Sequence, residues 1–282
     1  MSESKYLELL SNILDNGEKK SDRTGVGTLS VFGTNLKFSL ENNTLPLLTT
    51  KKMAIKSIVE ELLFFIRGDT DSKLLEQKGV NIWKGNTSRE FLDKRGLFSY
   101  KEGEMGPMYG AQWRDFSRCD GQKGVDQLEQ SLHLLKNDPN SRRILISAYN
   151  PNVSNLCVLD PCHLLIQFNV SGNNLSCQWY QRSVDSFLGL GFNITSYAIL
   201  THLMAEAAGL KAKELIFVGG DTHIYLNHVN QVKEQISRTP YNFPTISIPK
   251  VSSIQDMEKL SFEDFKINNY ISHPSIKAEM AI

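Results

Sequence analysis

The chain lacks an excess of charge of either sign. Lys and Arg together number 31, and so do Asp and Glu, across 282 residues. Bulk attraction to nucleic acid or to an anionic membrane is thereby removed, and any anion site has to be built locally. Cysteine is scarce: Cys119, Cys157, Cys162 and Cys177 are the four present, and no two form a C-x-x-C pair. That spacing disfavours a structural zinc site and a thioredoxin-like motif, and the chain is too long and too cysteine-poor for a disulfide scaffold. No uninterrupted apolar run approaches the length of a membrane span. The polar start Met1-Ser2-Glu3-Ser4-Lys5-Tyr6 offers no signal-peptide core. Repeats, low-complexity tracts and linkers are missing too. The expectation is a soluble protein of the cytoplasm, with reduced thiols, forming a single domain over 1–282.

What is present is ordinary in bulk. Hydrophobic residues make up 40% and charged residues 22%, enough for a large core and not suggestive of disorder. Apolar residues at Tyr6, Leu9, Leu10 and Ile13 fall at helical spacing, as do Ile55, Ile58, Leu62, Leu63 and Ile66 before Gly68-Asp69. Helices are also expected over 125–136, 192–210 and 224–237. Thr28 to Leu40 alternates around Gly33 and reads as two short strands joined by a turn. Further strands are expected over 144–149, 163–170, 175–180 and 216–219, with Asn173-Asn174 turning a hairpin. Residues 86–110 read as loop. Helices first, then strands and helices mixed without regular βαβ alternation, indicate an α+β fold with a mixed sheet.

Several residues carry chemistry. Cys162 lies in Leu159-Asp160-Pro161-Cys162-His163. A lone cysteine is more often a small buried hydrophobe than a nucleophile. His163 is adjacent, but on a strand it would point to the opposite face, which makes it a poor base for the thiol. Positive charge would activate the thiolate, and Arg142-Arg143 and Arg182-Ser183 offer it. Tandem arginines are as readily a solvated surface pair as a phosphate clamp. Asp22-Arg23-Thr24-Gly25 is a turn that could meet a phosphate, although it is no P-loop. Four arginines near strand ends of a neutral chain point to one anion pocket. Asp221 reads as a helix cap ahead of His223, Tyr225 and His228, whose spacing does not favour a metal. Asn193 reads either as an N-cap or as an amide matched to the donor and acceptor of a uracil edge.

These residues, with Leu48-Thr49-Thr50-Lys51-Lys52, Glu60-Glu61-Leu62-Leu63-Phe64, Gly106-Pro107-Met108-Tyr109-Gly110, Phe192-Asn193-Ile194, Gly220-Asp221-Thr222-His223-Ile224-Tyr225 and His273-Pro274-Ser275-Ile276-Lys277, make the chain resemble the thymidylate synthases nearly end to end. The resemblance implies a large mixed sheet flanked by helices and packed against its mate in a homodimer. It implies methylation of dUMP at C5 to dTMP, with 5,10-methylenetetrahydrofolate as one-carbon and hydride donor and no metal. Cys162 would add to C6, Arg182 would lower its pKa, and Glu61 and Tyr109 would serve proton transfer. Arg23, Arg182 and Ser183 would hold the phosphate, joined by Arg142 and Arg143 of the other subunit. Asn193 would read the base, and His223 and Tyr225 the 3′-hydroxyl. Asp185 would bind the pterin, with Lys51, Ile82, Trp83, Asn86, Leu188, Gly189, Phe192 and the closing Ala281-Ile282 lining the folate site.

The pattern is departed from at Asp160 and at Gly191, both in place of proline, and at Lys84-Gly85. Asp160 puts a carboxylate near the thiol and would raise its pKa; Gly191 would loosen its turn. The nearest rival is a dUMP hydroxymethylase, in which water replaces the hydride; Trp83 and the closing tail speak against it. A second rival is a non-catalytic nucleotide or RNA binder. The family resemblance implies weak RNA binding, but neutral charge gives no broad basic face.

Overall fold

The computed structural model describes residues 3–117 and 123–280. Cys119, Ala281 and Ile282 lie outside the described residues. The helices are α1 (Ser4–Asn16), α2 (Ile55–Arg67), α3 (Lys73–Glu76), α4 (Arg89–Lys94), α5 (Gly110–Arg114), α6 (Gln127–Asn137), α7 (Leu190–Ala208), α8 (Val229–Ile236) and α9 (Ile254–Glu258). The strands are β1 (Glu18–Lys20), β2 (Thr28–Ser39), β3 (Leu145–Ser147), β4 (His163–Ser171), β5 (Asn174–Asp185), β6 (Lys211–Tyr225), β7 (Thr245–Ser247) and β8 (Lys266–Asn268). Six strands form a mixed sheet in the order β1-β2-β6-β5-β4-β3, and β7 pairs with β8. Only β5 and β6 run parallel within the large sheet, and α7 connects them.

Helix α7 explains much of the core. Its buried residues include Leu190, Ile194, Tyr197, Ile199, Leu200, Leu203 and Met204, and it packs on β5, β6, α2 and α6. Burying each large apolar side chain contributes roughly 1.5–3 kcal/mol. That outweighs the few tenths of a kcal/mol lost to helix propensity at β-branched Ile194, Thr195, Ile199 and Thr201. The helix stops at Gly209, whose φ of 70° lets its N–H reach back to the carbonyls of Ala205 and Glu206. Helix α2 buries Ile58, Leu62, Leu63 and Ile66 of the expected stripe, with Ile55 only partly covered, and ends at Gly68 in the same way.

The sequence reading needs correction at several elements. Thr28 to Ser39 is one continuous strand, because every residue but Gly33 finds a partner on β6 or β1. β6 is fifteen residues long and not four, since β2 and β5 flank it along its whole length. Ile224 and Tyr225 belong to its end, and α8 starts only at Val229. Asp221 is therefore a strand residue and not a cap. Asn193 sits inside α7 and not at its N-cap. Residues 86–110 include α4, capped by Ser88, whose Oγ accepts the Phe91 N–H.

Pairing lapses at one level of the sheet. Gly33 on β2, Gly220 on β6 and Arg182 on β5 are skipped side by side, and β4 shifts register against β5 between His163 and Leu165. A Cβ on Gly220 would lie 2.8 Å from the Arg182 carbonyl oxygen, so only glycine fits there. This interruption is where the chain presents Arg182 beside Cys162.

Candidate active site

A cleft of about 710 Å³ opens at this level, a size suited to small-molecule binding. One wall begins in the loop after β1. The Asp22 carboxylate accepts hydrogen bonds from the Thr24 N–H at 2.9 Å, the Thr24 hydroxyl at 2.5 Å and the Gly27 N–H at 2.7 Å. Partial burial opposes its ionisation, but these donors and Arg23 outweigh it and hold the carboxyl below its usual range. The loop so fixed presents Arg23 to the cleft.

Opposite lies the Cys162 segment, which is clamped through its backbone. The Arg182 guanidinium donates through Nε to the Pro161 carbonyl at 2.9 Å and through Nη2 to that of Asp160 at 2.8 Å. The Cys162 N–H donates to the Tyr109 phenol oxygen at 2.9 Å. Burial pushes the Cys162 thiol above its ordinary value; Arg182 and Arg23 pull it down, and Asp160 adds to the rise. The expected effect of Arg182 is thus present, yet burial outweighs it. The effect of Asp160 has the expected sign, and its carboxylate is held by the Ser154 hydroxyl. His163 is not the thiol's base. Its Nδ1 is engaged with the Tyr197 hydroxyl at 2.5 Å, and burial pushes its pKa down to about 3.

Tyr109 has φ 42°, ψ −101°, an uncommon conformation for a non-glycine residue and one that clusters at functional sites. Packing over-determines it. Its ring stacks on His163 at 4.1 Å and meets Phe65 at 4.9 Å and Trp83 at 6.1 Å. Beyond His163 the rings continue through Tyr197 and Trp179 to Phe217, joining the cleft to the centre of the sheet.

Glu61, on α2, accepts a hydrogen bond from Trp83 Nε1 at 2.8 Å. Burial raises its pKa to about 7, against the pull of that bond. A carboxyl raised from the ordinary range contributes its full stability only below about pH 4.5, and loses it as pH rises through 7. Glu61→Gln keeps an acceptor for Trp83 and removes the charge. We expect the variant to be more stable than wild type at pH 8 by roughly 1–3 kcal/mol, and so to melt at higher temperature, with the gap closing below about pH 5. Thermal melts across that range measure it; a gap independent of pH would refute the shift.

At the far end of β5, Asp185 Oδ1 accepts the N–H groups of Phe187 and Leu188, fixing the turn into α7. Asn193 donates through Nδ2 to Gln181 Oε1 at 2.9 Å, and Gln181 Nε2 donates to the Ser183 carbonyl at 3.0 Å. The relay leaves Asn193 Oδ1 and its second N–H for a ligand. His223 and Tyr225 line the same cleft, as do Ser183, Ile82, Trp83, Asn86, Leu188, Gly189 and Phe192.

Three expectations fall elsewhere. Arg142 and Arg143 are exposed and do not line this chain's cleft, so two of the four arginines meet here and not all. Lys51 turns inward: its ammonium reaches the Phe187 carbonyl and lies 3.8 Å over that ring, and burial lowers its pKa to about 8. Gly191 belongs to the first turn of α7 and not to a turn ahead of it, and a Cβ there would meet Leu48 Cδ1 at 2.5 Å.

Sequence reasoning missed Lys20, Arg95, Gln181 and Asp221 as cleft residues, while Met280, part of the expected closing tail, does border the cleft. Alternation along Gln181, Ser183 and Asp185 could have flagged Gln181; nothing local flags Lys20 or Arg95, which arrive from distant segments.

Among the described residues no helix is long and apolar enough to cross a membrane. The model of the thymidylate synthase family matches residues 4–282. The chain is 47% identical over 287 residues to thymidylate synthase 1/2 of Encephalitozoon cuniculi (strain GB-M1), covering 99% of this chain and 97% of that one. It is 48% identical over 289 residues to the thymidylate synthase of Ascaris suum, covering 99% and 97%. It is 47% identical over 290 residues to the bifunctional dihydrofolate reductase-thymidylate synthase of Leishmania major, covering 99% of this chain and 55% of that one. A match of this extent and depth, over a cleft with this geometry, leaves one conclusion: the chain belongs to the thymidylate synthase family.

Proposed function

We propose that the cleft carries out the family's reaction, methylation of dUMP to dTMP, through covalent attack by Cys162, and that two chains share each site. The family reaction consumes 5,10-methylenetetrahydrofolate. The observation that carries the assignment of roles is that the Cys162 thiol, three arginines (Arg23, Arg95 and Arg182), the Asn193 amide and the apolar side chains of Ile82, Trp83, Leu188 and Phe192 converge on one cleft.

In this reading the dUMP phosphate lies against Arg23, Arg182 and Ser183. Guanidinium forks suit phosphate oxygens, and the thiol is then beside the base. Asn193 Oδ1 accepts the uracil N3–H while its free N–H donates to O4. Thiolate addition at C6 turns C5 into an enolate-like nucleophile, splitting one hard step into easier ones. Glu61 and Tyr109, both held in place before substrate arrives, move the protons. The folate supplies the carbon and hydride. Ile82, Trp83, Leu188 and Phe192 fit a flat ring system, with Asn86 and Asp185 as its polar partners. Met280 on the cleft supports a tail that closes over the substrates and excludes water. The whole chain serves as one catalytic domain.

The exposure of Arg142 and Arg143, and of Phe32, Leu145 and Leu165 on strands of the large sheet, supports packing of that sheet against a second copy. The arginines would then enter the neighbour's cleft. Cys162→Ala and the double change Arg142→Ala, Arg143→Ala are each expected to be nearly inactive. Mixed in equal amounts and allowed to exchange, they should regain about a quarter of wild-type activity, since half the dimers are mixed and each has one intact site. The product should be dTMP by mass spectrometry, with one dihydrofolate by absorbance. No regain would sink the shared site, and hydroxymethyl-dUMP without dihydrofolate would sink the reaction.

A further inference from the structure

Three neighbouring strands place a polar cluster behind His223. Asp221 and His223 are two apart on β6 and share a face. Asp221 Oδ1 accepts the Ser30 hydroxyl at 2.8 Å and stands 3.0 Å from His223 Nδ1. Its Oδ2 accepts the Lys20 ammonium at 3.0 Å, and that ammonium also donates to Ser30 Oγ at 3.3 Å. Ser30 and His223 are buried, at 3% and 7% exposure, so the cluster's geometry is built into the sheet. Lys20, Asp221 and His223 all border the cleft.

The chemistry of the cluster sets the imidazole. Partial burial opposes ionisation of Asp221, but Ser30, Lys20 and His223 outweigh it and hold the carboxyl below its usual range. An ionised carboxylate only accepts, so His223 Nδ1 must carry hydrogen. In the neutral ring Nε2 then has a bare lone pair. The Tyr225 ring lies 5.3 Å from the His223 ring and nearly perpendicular to it, and both residues border the cleft. Burial and the carboxylates of Asp185 and Asp22 push its phenol up to about 12, so it remains a donor. One acceptor and one donor side by side match a hydroxyl, which both donates and accepts. They do not match a phosphate monoester, whose dianion only accepts and would face a lone pair backed by a carboxylate.

We infer that Asp221, braced by Lys20 and Ser30, is a positioning residue that locks His223 as an acceptor and makes the cleft select nucleotides with a free 3′-hydroxyl over 3′-phosphorylated ones. This rests on the reading that His223 and Tyr225 face the sugar. Asp221→Asn offers an amide N–H toward Nδ1, which moves the ring hydrogen to Nε2 and turns the acceptor into a donor.

Calorimetric titration of the full chain with dUMP, 2′,3′-dideoxyuridine 5′-monophosphate and deoxyuridine 3′,5′-bisphosphate tests it. Wild type should prefer dUMP over the dideoxy nucleotide about tenfold and bind the bisphosphate weakest. In Asp221→Asn the preference over the dideoxy nucleotide should fall to near unity and the bisphosphate should gain about tenfold. Lys20→Met, which keeps the carboxylate, should shift both ratios the same way by less, and guards against a misfolded asparagine variant. Equal weakening of all three ligands in both variants would mark the cluster as merely structural and overturn the proposal. Wild type that binds dUMP and the dideoxy nucleotide equally would overturn the sugar contact of His223 and the proposal with it. Discrimination by wild type and both variants alike would overturn the cluster's role alone.

Discussion

Cys162→Ala is expected to bind dUMP and turn over essentially none of it. The loop should survive the change because it is held by main-chain groups: Arg182 grips the carbonyls of Pro161 and Asp160, and the residue-162 N–H still reaches Tyr109. The anion corner and the Asn193–Gln181 relay do not involve the sulfur. Loss of the thiol removes the proposed covalent route to an activated C5, and losing a nucleophile typically costs about 10⁴-fold or more in kcat. Dihydrofolate release followed by absorbance should fall by at least that factor, while the calorimetric Kd for dUMP stays within about threefold. Turnover within tenfold of wild type would remove Cys162 from the mechanism.

Asn193→Asp should move preference from dUMP toward dCMP. A uracil edge needs an acceptor for N3–H and a donor for O4; a cytosine edge reverses both. Sites built to hydrogen-bond a substrate group discriminate strongly, because the wrong partner leaves buried polar atoms unpaired. The kcat/KM ratio of dUMP to dCMP should fall by about 10²–10⁴-fold. Gln181 complicates the swap. Its Oε1 now accepts from Asn193 Nδ2, and an aspartate oxygen would face it. Gln181 must turn its amide and release the Ser183 carbonyl, so part of the change should be a loss of activity on both nucleotides. An unchanged ratio measured with both substrates would refute the recognition role.

The sequence made the long, one-signal elements readable. Most of the apolar stripe of α2 is buried as expected, and the hairpin of β4 and β5 forms, although its turn is Gly172-Asn173 and Asn174 already belongs to β5. Elements were misread where tertiary pairing overrides a local break. Gly33 looks like a turn because glycine punctuates strands, but β6 runs the length of β2 and carries the strand through. Asp221 and Asn193 look like caps because short polar side chains favour helix starts; a long strand and an earlier helix start absorbed them. Most cleft residues were legible only as motifs, whose convergence no spacing reveals. Lys51 is buried with its ammonium over the Phe187 ring and is not among the residues lining the cleft, a placement that its motif does not reveal. The Ser30–Lys20–Asp221 cluster was invisible, because its members come from three strands that meet only in the fold.

The column of rings from Trp83 and Tyr109 through His163, Tyr197 and Trp179 to Phe217 blurs a familiar division. Selection usually acts on a core through folding and on a site through rate. Here the tyrosine that braces the Cys162 N–H stacks on a chain of rings that runs through α7 into the sheet, so a change to those inner rings would be felt at the cleft as well as in the core.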